Sequence, residues 1–138
     1  MCRNKSESIL DFVIALEATL GYRLKSEISH RLASRGAYLL GTDPATRERY
    51  YCIFKALYHI RSRIAHGDIA TAKVPEFFVE AITTLDYWKG DWSKETDLFK
   101  VRHIADVARQ VTRQILIEFI KKPSLLNEDS LLKLELGL

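Results

Sequence analysis

The chain has 138 residues, which is enough for one domain around a single hydrophobic core. Hydrophobic residues make up 47% of the chain and charged residues 28%, a balance that excludes an intrinsically disordered protein. The formal net charge of +3 is too small to indicate a polyanionic partner by itself, although a local cluster of cations can still bind one.

The sequence carries no sign of a membrane or secreted protein. No apolar run reaches the roughly 20 residues of a membrane span, and the N-terminal MCRNKSESILDF lacks the apolar core of a signal peptide. Cys2 and Cys52 are far apart and form no C-x-x-C motif. We therefore interpret Cys52 as a small buried hydrophobic residue in a reducing, cytoplasmic protein. We expect one domain over residues 1–138, and its abrupt start in a helix fits excision from a longer protein.

Apolar residues with a period near 3.6 predict three helices in the first half of the chain. The predicted ranges are 6–20, 25–40 and 44–65, and the glycines that end them are Gly21, Gly41 and Gly67. We expect Ser6 or Ser8 to cap the first helix and Ser26 the second. Gly36 costs about 1 kcal/mol relative to Ala inside a helix, so it predicts a close helix crossing. Thr42-Asp43-Pro44 predicts the start of the third helix, with a capping side chain before a proline.

The second half has weaker signals, except for one long helix. We expect a short helix after Pro75, a Trp-rich loop through Gly90, a helix over 97–121, and a last helix over 127–136 capped by Asn127 or Asp129. Strand signals are almost absent, with no N-G hairpin and little alternation of period two. The sequence therefore predicts an all-α fold, a single bundle of five or six helices.

Motifs for nucleotide and metal chemistry are missing. The sequence has no G-x-x-x-x-G-K-[ST], no G-x-G-x-x-G and no H-E-x-x-H. His59 and His66 are seven residues apart, about 10 Å along a helix axis, so they cannot share one metal ion. We interpret His30 and His103 as ordinary half-exposed histidines, and we expect no metal and no cofactor. A DNA-binding regulator would need a recognition helix, which residues 44–50 (PATRERY) match only weakly.

Three blocks, taken together, resemble the Apea-like branch of the HEPN family. The blocks are FVIALEATLG (12–21), ISHRLASRGAYLLG (28–41) and LYHIRSRIAHG (57–67). They occur in the family's order with similar spacing. The resemblance covers residues 8–67 well and the later helices loosely.

The resemblance implies an HEPN-like helical bundle that pairs as a homodimer. Many members of the family cleave RNA without a metal in toxin, antiphage or RNA-processing systems. Their motif is an Arg followed, after four to six residues, by a His, which Arg61 and His66 match with four residues between them. Ser62 stands where the family usually has Asn, Asp or His. The implied partners are RNA, a second copy of the chain, and an antitoxin or a sensor domain.

These residue types suit RNA cleavage that uses the substrate's own 2′-OH as nucleophile. A histidine can take the proton of that hydroxyl, because imidazole titrates near neutral pH. An arginine can stabilise the charge that grows on the phosphorane oxygens. With His66 and Arg61 in these roles and Ser62 positioning the scissile phosphate or His66, the products would carry a 2′,3′-cyclic phosphate and a 5′-OH.

The spacing of the motif imposes a geometric condition. Five positions at about 100° each place Arg61 and His66 roughly 140° apart around a straight helix, so they do not share a face. Ser62 and His66, at i and i+4, do. One protomer therefore presents a poor site, whereas a two-fold dimer can bring two motifs to a shared cleft. The ribonuclease hypothesis predicts a homodimer with His66 near its axis.

Residues around the motif have functional and structural interpretations. Tyr58 can stack on a base or lie at the edge of the core. Glu17, inside the apolar block ALEATL, needs a polar partner and is a candidate ion-pair partner for Arg61. A structural role for Arg61 and Glu17 competes with a supporting role in catalysis. Arg63 can contact RNA, stay solvated or pair with a carboxylate.

Two further arginines are candidates for RNA phosphates. Arg31 and Arg35 share a face of the second helix at i and i+4. A charged stripe of this kind is also typical of the solvated side of a helix.

The second functional hypothesis is a non-catalytic dimerisation or RNA-binding module, which Ser62 favours. In that case His66 would serve the end of its helix, where the helix dipole favours a cation. Catalysis requires His66 in a basic cleft near its symmetry mate, and the module does not.

Overall fold

The structure is a computed structural model that describes residues 5–21, 26–65 and 73–137. Its helices are α1 (Lys5–Leu20), α2 (Ile28–Leu40), α3 (Pro44–Ala65), α4 (Glu76–Thr84), α5 (Asp97–Lys121) and α6 (Glu128–Glu135). Two short 3₁₀ turns, Trp92–Lys94 and Pro123–Leu126, precede α5 and α6. None of the described residues lies in a strand. The predicted all-α bundle is confirmed, with six helices in these ranges.

Two of the predicted helix starts are wrong. Ser6 and Ser8 lie inside α1, because that helix already begins at Lys5. Ser26 does not cap α2, since Glu27 takes the position before the helix with a left-handed φ of 51° and no capping side-chain bond. The α2 helix therefore starts without the side-chain acceptor that usually satisfies a free backbone N–H.

The start of α3 follows the prediction from Thr42-Asp43-Pro44. The backbone N–H of Thr46 donates to Asp43 Oδ1 at 2.8 Å, and the backbone N–H of Asp43 donates to Thr46 Oγ1 at 3.1 Å. The hydrogen bond from Thr46 lowers the pKa of the Asp43 carboxyl, because it stabilises the ionised form. The predicted cap at Asn127 is also confirmed, since its side chain accepts from the N–H of Asp129 at 2.8 Å.

Helix α3 packs against α1, α2 and α4, and α1 packs in turn against α5. Its buried residues recur at helical spacing and enter the common core: Ile53, Phe54, Ala56, Leu57 and Ile60. The core is completed by the apolar stripes of α1 and α5 and by Phe78 of α4. Because one face of α3 is fixed in the core, the positions of the residues on its other faces are fixed as well.

The predicted close crossing at Gly36 is confirmed. A Cβ at Gly36 would lie 2.5 to 2.8 Å from ring atoms of Phe54, which is fully buried on α3. Only glycine lets the α2 backbone approach that ring so closely.

The Trp-rich segment between α4 and α5 folds into an aromatic cluster. Trp88 is buried, and its ring meets those of Trp92, Phe99 and His103 edge-on. His103 Nε2 also forms a hydrogen bond with the carbonyl of Tyr87 at 3.0 Å. His103 therefore serves packing, as the sequence indicated.

No helix within the described ranges is both long enough and apolar enough to span a membrane.

We predict that Gly36→Ala lowers the free energy of unfolding by about 1–3 kcal/mol, because a buried Phe54 ring must shift to admit the methyl group. Urea denaturation followed by circular dichroism measures this. Ser34→Ala, a change of similar size on the same helix, should stay within about 0.5 kcal/mol. If Gly36→Ala stabilises the protein, as helix propensity alone would predict, the close crossing is wrong.

Candidate functional site

The last turns of α3 carry most of the candidate motif. Tyr58, Arg61, Ser62 and Arg63 all lie on this helix, which ends at Ala65. His66 and the predicted helix stop Gly67 lie outside the described residues. The prediction that His66 approaches a dimer axis therefore stays a prediction.

Arg61 is paired with the carboxylate that the sequence indicated. Its Nε lies 3.0 Å from Glu17 Oε1, and the two side chains are 30% and 27% exposed. Both atoms are shielded from solvent, yet their alignment does not form a hydrogen bond, so the contact is an ion pair. The pair connects α1 to the end of α3 and turns Arg61 towards α1.

Ser62 and Tyr58 lie on a different side of α3 from Arg61. They line a cleft of about 410 Å³, here called the α3–α4 cleft. Its lining residues are Ser29, Lys55, Tyr58, His59, Ser62, Pro75 and Phe77. Lys55, Tyr58 and Ser62 share this face because they follow one another at helical spacings of three and four. The cleft thus combines one cation, one imidazole and two aromatic rings beside the motif.

Arg63 is engaged with the chain that leads into α4. Its Nη1 donates to the carbonyl oxygen of Lys73 at 2.8 Å. This bond holds the segment before α4 against the end of α3. Arg63 therefore has a structural contact in addition to its predicted role at RNA.

The interpretation of Arg35 as an RNA contact is corrected by the structure. Its side chain is only 1% exposed, and its Nε forms an ion pair with Glu135 of α6. Its Nη1 also donates to the carbonyl of Leu20 at 2.6 Å. Arg31, on the same face, is half-buried with its Nε 3.2 Å from Glu135 Oε2. Arg35 is therefore neither solvated nor open to phosphate, because α6 covers it, whereas Arg31 keeps part of its side chain in solvent.

Lys55 and His59 are the functional candidates that sequence reasoning missed. Both are exposed and line the α3–α4 cleft beside Ser62. The signal was present in the spacing of Lys55, Tyr58 and Ser62, which places a cation, a ring and the motif serine on one helix face. Sequence alone presents His59 only as a possible metal ligand, because its cleft neighbours Ser29 and Phe77 lie on other helices.

The pKa values of two other side chains, Cys52 and Tyr87, are shifted. Burial raises the pKa of the Cys52 thiol, which favours the neutral form and disfavours a nucleophilic role. Cys52 is half-buried, which makes it less enclosed than predicted. Burial also raises the pKa of Tyr87 above its usual range, assisted by its hydrogen bond with Tyr50. Over the described ranges, no three His, Cys, Asp or Glu side chains cluster closely enough to hold a metal ion.

In comparisons with protein-family models, curated proteins and solved structures, the chain matched none of them. The resemblance to the HEPN family therefore rests on the three sequence blocks alone.

We predict that Glu135→Ala lowers the free energy of unfolding by about 3 kcal/mol, because it leaves Arg35 charged and buried without its carboxylate. Chemical denaturation measures this change. The double variant Arg35→Met with Glu135→Leu should lose less than Glu135→Ala, since it removes both charges together. A Glu135→Ala protein as stable as the natural chain would show that the pair contributes nothing.

Proposed function

We propose that this chain is a metal-independent endoribonuclease of HEPN type that acts as a homodimer in defence, as a toxin, or in RNA processing. The observation that carries the proposal is the α3–α4 cleft. It places Ser62 of the motif beside Lys55, Tyr58 and His59. A cation for phosphate, a ring for a base and an imidazole for proton transfer are the groups that RNA cleavage without a metal uses.

The proposed reaction assigns each motif residue one role. His66 takes the proton of the substrate 2′-OH, and the 2′-oxygen attacks the adjacent phosphorus. The bond from phosphorus to the 5′-oxygen then breaks, that oxygen takes a proton from water, and His66 returns its own proton to the solvent. Arg61 stabilises the negative charge on the phosphorane. The products carry a 2′,3′-cyclic phosphate and a 5′-OH.

The contact between Arg61 and Glu17 is compatible with this role. Glu17 approaches the Nε of Arg61. An ion pair at Nε restricts the side chain and leaves the fork of terminal donors for a phosphate. Glu17 would then be a positioning residue for Arg61.

The directions of the side chains favour a homodimer. Arg61 turns towards α1, while Ser62 opens on the α3–α4 cleft. One copy therefore presents the two motif residues on different sides of α3. Under the proposal, a second copy across a two-fold axis supplies the complementary residue to each cleft. Antitoxin or sensor domains would regulate such a dimer.

The alternative is a non-catalytic dimerisation or RNA-binding module. The ion pair between Arg61 and Glu17 favours it, because it explains both residues without a substrate. Ser62, where the family has Asn, Asp or His, favours it as well. The two functions differ in whether RNA that reaches the cleft is cleaved.

Cleavage of a panel of single-stranded and structured RNAs in excess EDTA tests the proposal. We predict that the natural chain cleaves, that His66→Ala and Arg61→Ala each lose about a hundredfold or more in rate, and that the products end in cyclic phosphate. Arg109→Ala, which removes an exposed arginine from α5, is the matched control and should retain activity.

The other outcomes of this experiment point to different conclusions. No cleavage by a well-folded dimer would favour the interaction module. Equal cleavage by all four proteins would indicate a contaminating nuclease and would leave Arg61 as a structural residue.

We predict that Glu17→Gln lowers the cleavage rate about tenfold while its effect on the free energy of unfolding stays below about 1 kcal/mol. The pair is partly exposed, so solvent screens its contribution to stability. Single-turnover kinetics and urea denaturation measure the two quantities. A loss of stability without a loss of rate would make the pair purely structural.

A further inference from the structure

A second cleft adjoins the first on the other side of Tyr58. It has a volume of about 490 Å³ and is here called the α2–α3 cleft. Its lining residues are Ser26, Glu27, Ile28, Ser29, His30, Lys55 and Tyr58. Ser29, Lys55 and Tyr58 line both clefts. The two clefts therefore adjoin at these three residues, and the α3–α4 cleft extends to Ser62.

Tyr51 holds two polar groups that line these clefts. Lys55 Nζ donates to the Tyr51 hydroxyl at 3.3 Å, and the ammonium also lies 5.5 Å from the centre of the Tyr51 ring. The same hydroxyl forms a 2.7 Å hydrogen bond with His30 Nδ1. The rings of His30 and Tyr51 meet edge-on, with their centres 5.6 Å apart. Tyr51 lines neither cleft, so it acts from behind on residues that do.

This support matters because a free lysine loses much conformational entropy when it binds a ligand. A side chain already held by a hydroxyl and a ring loses less. His30 and Lys55 thus present two nitrogen-bearing groups from neighbouring helices at a fixed spacing. Glu27 is the one carboxylate among the residues that line the two clefts. Its charge opposes that of Lys55.

Tyr58 lies between the two clefts and lines both. It is half-buried, so one part of the ring packs against the core and the rest is accessible. A fixed aromatic ring flanked by a cation is the arrangement by which proteins bind single-stranded nucleic acid, with a base on the ring and a phosphate on the cation. A duplex offers no such base, because its bases are stacked on one another.

We propose that the joined clefts bind single-stranded RNA, with a base stacked on Tyr58 and the neighbouring phosphate on Lys55 and His30. Tyr51 is a positioning residue that holds both phosphate-binding groups. This inference rests on the proposed function in one respect, because the strand continues along α3 to the cleavage motif. It names the substrate of that site as unpaired RNA of more than one nucleotide.

Binding of a short, fluorescently labelled 2′-O-methyl oligoadenylate by the whole chain tests this inference. The methylated strand cannot be cleaved, because its 2′-oxygen is blocked. Fluorescence anisotropy at several salt concentrations gives the affinity and its salt dependence. Circular dichroism and urea denaturation show that each variant is folded.

We expect Lys55→Gln to weaken binding several-fold and to reduce the slope of log affinity against log salt by about 0.7, which corresponds to one lost phosphate contact on a single strand. Glu27→Gln should strengthen binding, because it removes the opposing charge. Tyr51→Phe should weaken binding with a smaller change in the salt slope, since Lys55 remains. Tyr58→Ala should weaken binding about tenfold through the lost stack.

Lys94→Gln is the matched control for charge. Lys94 is 81% exposed and lines neither cleft, so its removal should leave the affinity nearly unchanged. Opposite signs for Lys55→Gln and Glu27→Gln cannot arise from general unfolding. An unlabelled RNA duplex of the same length should compete poorly.

Three results would overturn the inference: no binding of the oligonucleotide, equal affinity for Lys55→Gln and the natural chain, or equal binding of the duplex. Failure of the proposed function looks different. If the natural chain binds the methylated strand but does not cleave ordinary RNA, the binding site is supported and the nuclease function is wrong. If the natural chain cleaves RNA but Lys55→Gln binds the strand as well as the natural chain does, the nuclease function is supported and the binding site is wrong.

Discussion

The long α3 helix contributes one face to the hydrophobic core, another to the ion pair with α1 and a third to the α3–α4 cleft. The rest of the structure depends on how these faces are divided. Phe54, Leu57 and Ile60 point into the core and make the helix rigid. Because the helical repeat is 3.6 residues, the positions between them turn outwards in two directions. Arg61 meets α1, and Ser62 opens on the α3–α4 cleft. Burial of one face thus fixes the positions of Arg61 and Ser62.

Two ion pairs with different surroundings secure this arrangement. The pair between Arg61 and Glu17 is partly exposed, so it guides an orientation and contributes little to stability. The pair between Arg35 and Glu135 is buried, and its desolvation must be offset by good geometry and by the carbonyl of Leu20. Arg35 thereby links α1, α2 and α6 on the side that α6 covers. The bundle thus separates the buried Arg35 on α2 from the α3–α4 cleft.

Much of the fold could be predicted from sequence because its signals are local. Helical periodicity, the Asp43 cap and the close crossing at Gly36 depend on neighbouring residues or on the absence of a side chain. The burial of Arg35 could not be predicted, because its partner Glu135 lies far away in the chain and α6 has to dock before the two meet. The cleft residues were missed for the same reason, since Ser29 and Phe77 approach Lys55 only after α2 and α4 pack on α3. The partner of Arg61 was predicted because a carboxylate in an apolar helix face requires one.

We propose that RNA binds along the outward face of α3. The most direct measurement is a nuclear magnetic resonance titration of isotope-labelled protein with a 2′-O-methyl RNA strand. We predict that the largest amide shifts fall on α3 from Lys55 to Ser62 and at the start of α2 around Ser29, with little change near Trp92 and α6. Shifts centred on the Trp92 segment, or none at saturating RNA, would contradict it.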